Sequence, residues 1–319
     1  MWELVSVFLW QKKCIKCGSF KVVKNGRTNK GLQLYLCKQC GTQFVRRYRS
    51  IKRQKKLFQE YTFGKKTLNQ LADQYGKSIK TIQRYLDAYE VDLERLDAQP
   101  VVIGMDCSFF GRGYGIIVAR CPNLKRNLYW KEITTESKVV YEEARQFLQH
   151  AGFDIKAVVI DAKHGIKEVF TGTLIQICQY HQQQIIHRYL TNRPKTQAGQ
   201  ELRLLIKSLT RQTEQSFVAR LKAWHEKWRL LLAERTMAPD GKHWWYTHRQ
   251  LRAAYRSLHT NLPYLFSYQK YPELWIPNTN NSMEGCFSRL KTLLNNHHGL
   301  KNWRRYRLIE EVLNNPLPS

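Results

Sequence analysis

The sequence predicts a multi-domain α/β protein, and three observations predict it. Two Cys-x-x-Cys pairs stand near the start, among short β-type runs. From Val101 onward, apolar strand runs alternate with helical spacing. Between 189 and 276 the apolar spacing is helical. The expected order is a small β module, a helical pair, and a mixed-sheet α/β core interrupted by an all-α insertion.

Composition bounds this picture. At 319 residues, two or three domains are the natural expectation. Hydrophobic residues make up 43% of the chain, enough for a substantial core. The formal net charge is +28, from 53 Lys+Arg against 25 Asp+Glu. Self-repulsion on that scale opposes folding, so a polyanion is the expected partner, nucleic acid first. The bland alternative is a basic protein kept soluble by its charge. No run reaches the roughly 18 apolar residues that span a bilayer, so no membrane partner is expected. Residues 1–10 form an apolar leader that contains Glu3 and lacks a signal-peptide cleavage pattern. A cytoplasmic, nucleoid-associated protein is expected, with no small-molecule substrate.

Residues 1–66 carry 17 Lys+Arg against Glu3 and Glu60 alone. Within them, Cys14-Ile15-Lys16-Cys17-Gly18 and Cys37-Lys38-Gln39-Cys40-Gly41 have the spacing of a structural zinc site. Four thiolates make a closed tetrahedral shell, so one Zn²⁺ on Cys14, Cys17, Cys37 and Cys40 is expected to be structural. Lys21–Lys24 and Leu32–Leu36 read as strands around an Asn25-Gly26 turn. Residues 11–48 are therefore expected to form a zinc ribbon.

Residues 49–95 are expected to hold a basic linker and a helix-turn-helix. Leu68, Leu71 and Ala72 share one helical face, and Gly76-Lys77 breaks the pattern. Ser78 caps a second helix with Ile79, Ile82 and Leu86 inward. Lys77, Lys80, Thr81, Gln83 and Arg84 then face outward, toward a major groove and its phosphates. An ordinary helical hairpin is the alternative. Asp92–Pro100 reads as a linker.

The core is expected over 101–188 and 277–319. Val101–Met105, Tyr114–Ala119 and Leu128–Ile133 are strands that can meander. Lys138–His150 reads as a helix, Ile155–Ile160 and Leu174–Cys178 as further strands, with a helix between them. This is the order of an RNase H-like sheet. Asp106 and Asp161 each follow a strand, where side chains face a crevice. Two carboxylates gathered there repel unless a cation neutralises them. Oxygen ligands of this kind favour Mg²⁺ or Mn²⁺, and two ions would suit phosphodiester cleavage. For either Asp alone, a turn residue at a strand end is the commoner explanation.

Glu284 is the choice for a third carboxylate, in Asn280-Asn281-Ser282-Met283-Glu284-Gly285. Met283, Phe287, Leu290 and Leu294 make an apolar stripe that leaves Glu284 at its margin. Asn281 and Glu284 also fit a capping box, and spacing does not separate the two readings. In the insertion, Leu202, Leu205, Ile206 and Leu209 keep helical spacing, as do Phe217, Leu221, Trp224, Trp228 and Leu231. Core packing is expected for most of its Trp. Trp244-Trp245, with Arg249, Arg252 and Arg256 nearby, are candidates to stack on unpaired bases. Arg289, Lys291, His297, His298, Arg304, Arg305 and Arg307 make the C-terminal segment a candidate phosphate contact.

Taken in order, the cysteine pairs, the helical pair, Gly-Met-Asp106, Val-Ile-Asp161, Cys178-Gln-Tyr-His181 and Asn-Asn-Ser-Met-Glu284-Gly resemble bacterial insertion-sequence DDE transposases related to the Mutator superfamily. The resemblance covers nearly the whole chain. It implies a catalytic triad of Asp106, Asp161 and Glu284, and it matches Cys178 and His181 to a Cys-x-x-His signature. Three roles stay open for that pair: metal ligands, a structural pair at a strand end, or His181 beside the active site against DNA. Arg289 and Lys291, after the Glu, fall in the third motif. The implied activity is cleavage of element ends in double-stranded DNA and strand transfer to a target, by a homodimer or larger assembly. Two alternatives remain: a DNA-binding regulator with an inactive core, and an RNase H-like nuclease without strand transfer.

Overall fold

The computed structural model describes residues 13–29, 31–45, 48–91, 96–297 and 300–314. The leader at 1–10, His298 and part of the expected linker lie outside the described residues. The chain divides into two compact units, one ending at Glu90 and one beginning at Val91.

The first unit opens with a three-stranded antiparallel sheet, β1 (Val22–Arg27), β2 (Gln33–Cys37) and β3 (Gln43–Val45). Asn25-Gly26 is not the hairpin turn that the sequence predicts. The register passes from Lys24↔Tyr35 to Arg27↔Gln33, so β1 carries one extra residue, a bulge. Gly26 sits there at φ +68, a conformation that side chains resist. The chain turns later, where Thr28 N–H bonds to the Leu32 carbonyl at 2.8 Å.

Three helices follow: α1 (Tyr48–Thr62), α2 (Leu68–Tyr75) and α3 (Ile79–Asp87). Where the sequence predicts a basic linker, α1 is a full helix that packs on both α2 and α3. Leu57 and Phe58 are buried, as are Leu71, Ala72, Ile82 and Leu86. The Phe58 and Tyr89 rings lie 4.7 Å apart. Thr67 and Gln70 form a reciprocal capping box on α2, and Gly76 ends it in the left-handed conformation. Ser78 caps α3 as expected. Ile79, expected inward, is 44% exposed, in the first turn of α3 directly after the Ser78 cap.

The second unit is built on a five-stranded mixed sheet. Its strands are β4 (Pro100–Gly111), β5 (Tyr114–Cys121), β6 (Arg126–Ile133), β7 (Asp154–Ile160) and β8 (Leu174–Ile177). The spatial order is β6-β5-β4-β7-β8, with β4, β5 and β6 antiparallel and β4, β7 and β8 parallel. The helix α4 (Lys138–His150) falls on its expected residues and covers one face with Tyr141, Ala144 and Leu148. No α-helix joins β7 to β8. One 3-10 turn, Lys167–Phe170, makes that connection, because the chain between the strands is short.

Beyond β8 come α5 (Gln179–Leu190), α6 (Gln197–Lys207) and α7 (Glu214–Ala233). A hairpin of β9 (Arg235–Met237) and β10 (Trp244–Tyr246) leads into α8 (Arg249–Leu265) and the short α9 (Ser267–Lys270). The insertion is thus not all α-helical. Arg235, Thr236, Trp245 and Tyr246 are β-prone or alternating residues around Asp240-Gly241, a turn that helical spacing alone does not reveal. Neither does it have a core of its own. Leu202, Phe217, Trp224, Leu258 and Phe266 belong to one apolar cluster with Ile103, Val158 and Ile177 of the sheet.

A buried amide ladder fastens this region to the sheet edge. Gln176 and Gln179 side chains both donate to the Leu265 carbonyl, at 2.9 and 2.8 Å. Asn261 donates to Gln182 at 2.9 Å, and Ser267 to the Ile175 carbonyl at 2.6 Å. Buried amides without such partners would each cost roughly 1–3 kcal/mol.

The chain closes with α10 (Asn281–Asn296) and α11 (Asn302–Asn314). The basic C-terminal segment is therefore largely helical, and α11 packs on β6 and α10. His297, a candidate phosphate contact, is buried at 7% exposure just past α10. Among the described residues, no helix is long and apolar enough to cross a membrane.

Candidate active site and cysteine cluster

In the first unit, each cysteine pair folds into the same tight loop. Gly18 N–H bonds to the Cys14 carbonyl at 3.0 Å, and Gly41 N–H to the Cys37 carbonyl at 2.9 Å. Both glycines have φ near +70, so both need a residue without Cβ. The loops bring Cys14 Sγ to 3.6 Å from Cys40 Sγ, and Cys17 Sγ to 3.6 Å from Cys37 Sγ. All four sulfurs lie within 4.8 Å of one another. A tetrahedron of Zn–S bonds has edges of about 3.8 Å, so the four cysteines are close enough to hold a metal such as zinc.

In the second unit, the sheet brings Asp106 and Asp161 together. The parallel pairing of β4 and β7 runs to Gly104↔Val159, which places Asp106 and Asp161 side by side just past it. Asp106 is not at a strand end, as the sequence predicts. β4 continues to Gly111 because it stays paired with β5 after β7 has ended. Side chains alternate along a strand, so Asp106 shares the face of Val102 and Gly104, and Asp161 that of Ala157 and Val159.

His181 lies between them. Its Nε2 is 3.8 Å from Asp106 Oδ2 and its Nδ1 is 3.9 Å from Asp161 Oδ1. Those distances are too long for direct hydrogen bonds. His181 Nδ1 is buried with no hydrogen-bond partner. Burial opposes charging this ring, but Cys178 and the carboxylates of Asp161 and Asp106 outweigh it and raise His181 to about 10. Burial pushes Asp106 up to about 6, against His181 and the Cys107 N–H, with Asp161 and Glu136 adding to the rise.

The two residues of the Cys-x-x-His signature interact, Cys178 being the largest influence that raises His181, and each also has partners of its own. Cys178 is buried, and its sulfur accepts the Asn280 backbone N–H at 3.3 Å. It ties the start of α5 to the start of α10, while His181 reaches the aspartates.

Asn280 anchors α10 on the same face. Its side chain donates to the carbonyls of Val159, at 3.3 Å, and Met105, at 3.5 Å. Gly104 makes the approach possible, since a Cβ there would lie 2.6 Å from Asn280 Oδ1. Glu284 is one turn further along, half-buried. It does not complete a ligand set with the aspartates. Among the described residues, the four cysteines are the only three or more His, Cys, Asp or Glu groups whose ligand atoms lie mutually within 4.8 Å. The capping box expected between Asn281 and Glu284 does not form, because Asn280, not Asn281, precedes the helix and makes no side-chain cap.

Glu136 is a neighbour that sequence reasoning missed. It accepts the Tyr141 hydroxyl at 2.9 Å and pairs with Lys163 at 3.0 Å, two residues past Asp161. It sits in a loop ahead of α4 with no motif around it. Of the expected DNA contacts, Lys77, Lys80, Arg84 and Lys291 are exposed, while Gln83 and Arg289 are half-buried. Thr81 is engaged locally, its hydroxyl 3.0 Å from that of Ser78.

No protein-family model matches this sequence, and no curated protein matches it.

Proposed function

We propose that the chain is a DNA transposase with an RNase H-like core and a DDE triad of Asp106, Asp161 and Glu284. One observation carries the reading: two aspartates stand side by side on one face of adjoining parallel strands, with His181 between them. The strand order β6-β5-β4-β7-β8 is the one an RNase H-like core requires.

On this reading Asp106 and Asp161 hold Mg²⁺ or Mn²⁺. The donor set fits, being carboxylate oxygens side by side on one face. Bound ions of this kind activate the attacking water or hydroxyl and neutralise the leaving oxygen. Glu284 is the third carboxylate of the set, carried by a helix that Asn280 docks beside Met105. His181, charged between them, offsets the mutual repulsion of the two carboxylates. In the first unit the cysteines hold zinc, and Lys77, Lys80, Gln83 and Arg84 meet the inverted repeats of the element. The chain acts as a homodimer or larger, joining the freed 3′-hydroxyl to target DNA by direct transesterification.

The test is metal-dependent cleavage and joining of labelled element-end DNA, wild type against Asp161→Asn. Joining that disappears in the variant while duplex binding persists is the expected result. Equal activity in both proteins would remove Asp161 from the site. A second reading, a DNA-binding regulator with an inactive core, draws on Asp106, Asp161 and Glu284 forming no close ligand cluster among the described residues. Manganese titration on a pre-nicked inverted repeat separates the two, since a regulator joins nothing at any concentration.

A further inference from the structure

Away from the aspartates, α7 and α8 face one another across an open trough of about 300 Å³. His225 and Arg229 line it from α7, and Arg252, Arg256 and His259 from α8. The spacings are one and two helical turns, so each helix presents its basic groups as a row. No carboxylate lines the trough. Glu226 reaches His225 and Arg229 only from outside, at 3.9 and 3.8 Å, with its own side chain 73% exposed. Such pairs contribute little. Among the described residues, no ion pair involves Arg256 or His259. Arginines gathered along one trough repel one another, and a bound polyanion relieves them.

One side chain, Arg252, links the trough to aromatic surface. Arg252 also lies 3.5 Å over the ring of Tyr246 on β10. Tyr246 and its neighbour Trp245 line a second opening of about 360 Å³, together with Tyr189, Lys195 and Arg249. Trp245 remains 36% exposed and Trp244 44%. Core packing, expected for most tryptophans of this region, holds only for Trp224, at 5%, and in part for the half-buried Trp228; Trp275 is exposed along with these two.

We infer that this face of the helical region is a groove for single-stranded DNA, with an unpaired base in the Trp245–Tyr246 opening and its flanking phosphates in the arginine–histidine trough. A duplex offers phosphates but buries its base faces, so it matches the trough and leaves the aromatic opening unused. An unpaired strand matches both, since every base has a face to stack and every linkage a charge. The inference rests on the proposed function only in naming DNA as the strand.

The test needs no divalent metal. Full-length protein is titrated into a fluorescein-labelled oligothymidylate of about 12 nucleotides, within the usual site size. Trp245→Ala and Arg256→Glu are each expected to weaken binding about tenfold or more, the range that one stacked base supplies. Lys138→Glu, an exposed charge on α4, is expected to change it less than about twofold. Binding to duplex element-end DNA is expected to persist in all three. Unchanged oligothymidylate affinity in Trp245→Ala and Arg256→Glu would overturn the groove. So would an equal loss for duplex and single strand, or tight binding to anionic vesicles with none to the oligonucleotide. Because binding is measured without cleavage, a chain that takes the strand but never cuts overturns the transposase and spares the groove. A chain that cuts and ignores both substitutions does the reverse.

Discussion

Cys14 meets Cys40 across 26 positions of chain, whereas Asn280 reaches the Val159 carbonyl across 121. The cysteine cluster is a local construction: two similar loops, each closed by its own glycine, deliver four like ligands. The aspartate site is a product of the whole sheet. Asp106 and Asp161 meet because β4 and β7 are parallel neighbours, and α10 joins them from the far end of the chain. A local site depends on its ion more than on its surroundings. A site assembled by the fold is held by the sheet itself, and its groups bear the strain of burial.

Removing metal tests the first half of that contrast with the largest effect. A strong zinc chelator, or Cys37→Ser, is expected to unfold residues 13–45. Structural zinc contributes about 10–16 kcal/mol in small modules, while the apolar core here is little more than Cys14, Cys37 and Phe44. Hydrogen exchange is expected to lose protection there and keep it in the second unit. One cooperative loss of the entire chain would break the comparison.

Asp106→Asn tests the second half. The folded carboxyl sits at about 6 rather than 3.8, so the folded state holds its proton more tightly than the unfolded chain. The stability linked to this group is complete below pH 3.8 and is lost as pH rises through about 6. In buffer without divalent ions, the variant is expected to exceed wild type at pH 7 by up to about 3 kcal/mol. That advantage vanishes below pH 3.8, where both side chains are neutral. Urea denaturation at the two pH values reads it, and added Mn²⁺ is expected to narrow the gap. An advantage independent of pH would show that burial of charge is not the cause.

Gly104→Ala gives the smallest effect. Its Cβ would lie 2.6 Å from Asn280 Oδ1 and 3.2 Å from Met283 Sδ. Displacing α10 is expected to cost about 1–3 kcal/mol, seen as a lower Tm with the ribbon region unaffected. A neutral substitution would mean that α10 docks loosely and the far end of the chain matters less than the geometry implies.

These cases also mark where the sequence is legible. Cys14, Cys17, Cys37 and Cys40 announce themselves by spacing, and the strands around Asp106 and Asp161 by continuous apolar runs. Ser78 and Gly76 show the ends of α2 and α3 by their own chemistry. What escapes is whatever depends on distant partners. α1 reads as basic linker because its buried Leu57 and Phe58 are few among charges, and only α2 and α3 give them a surface to cover. The β9–β10 hairpin lies between long helices whose period masks it. Glu136 acquires its place only when Tyr141 and Lys163 arrive. Gln176, Gln179 and Gln182 look like surface residues until Leu265 and Asn261 cover them.

That amide ladder also sets a timetable for synthesis. Gln176 waits for Leu265, 89 residues later in translation. At roughly 5–20 residues per second, the outer strand of the sheet stays uncovered on the ribosome for about 5–20 s. The cysteine loops, closed within 26 positions, are finished long before. The nascent chain therefore carries a completed first module while its larger partner is still an open, apolar sheet. Any factor that shields newly made protein has its longest hold on that unfinished edge.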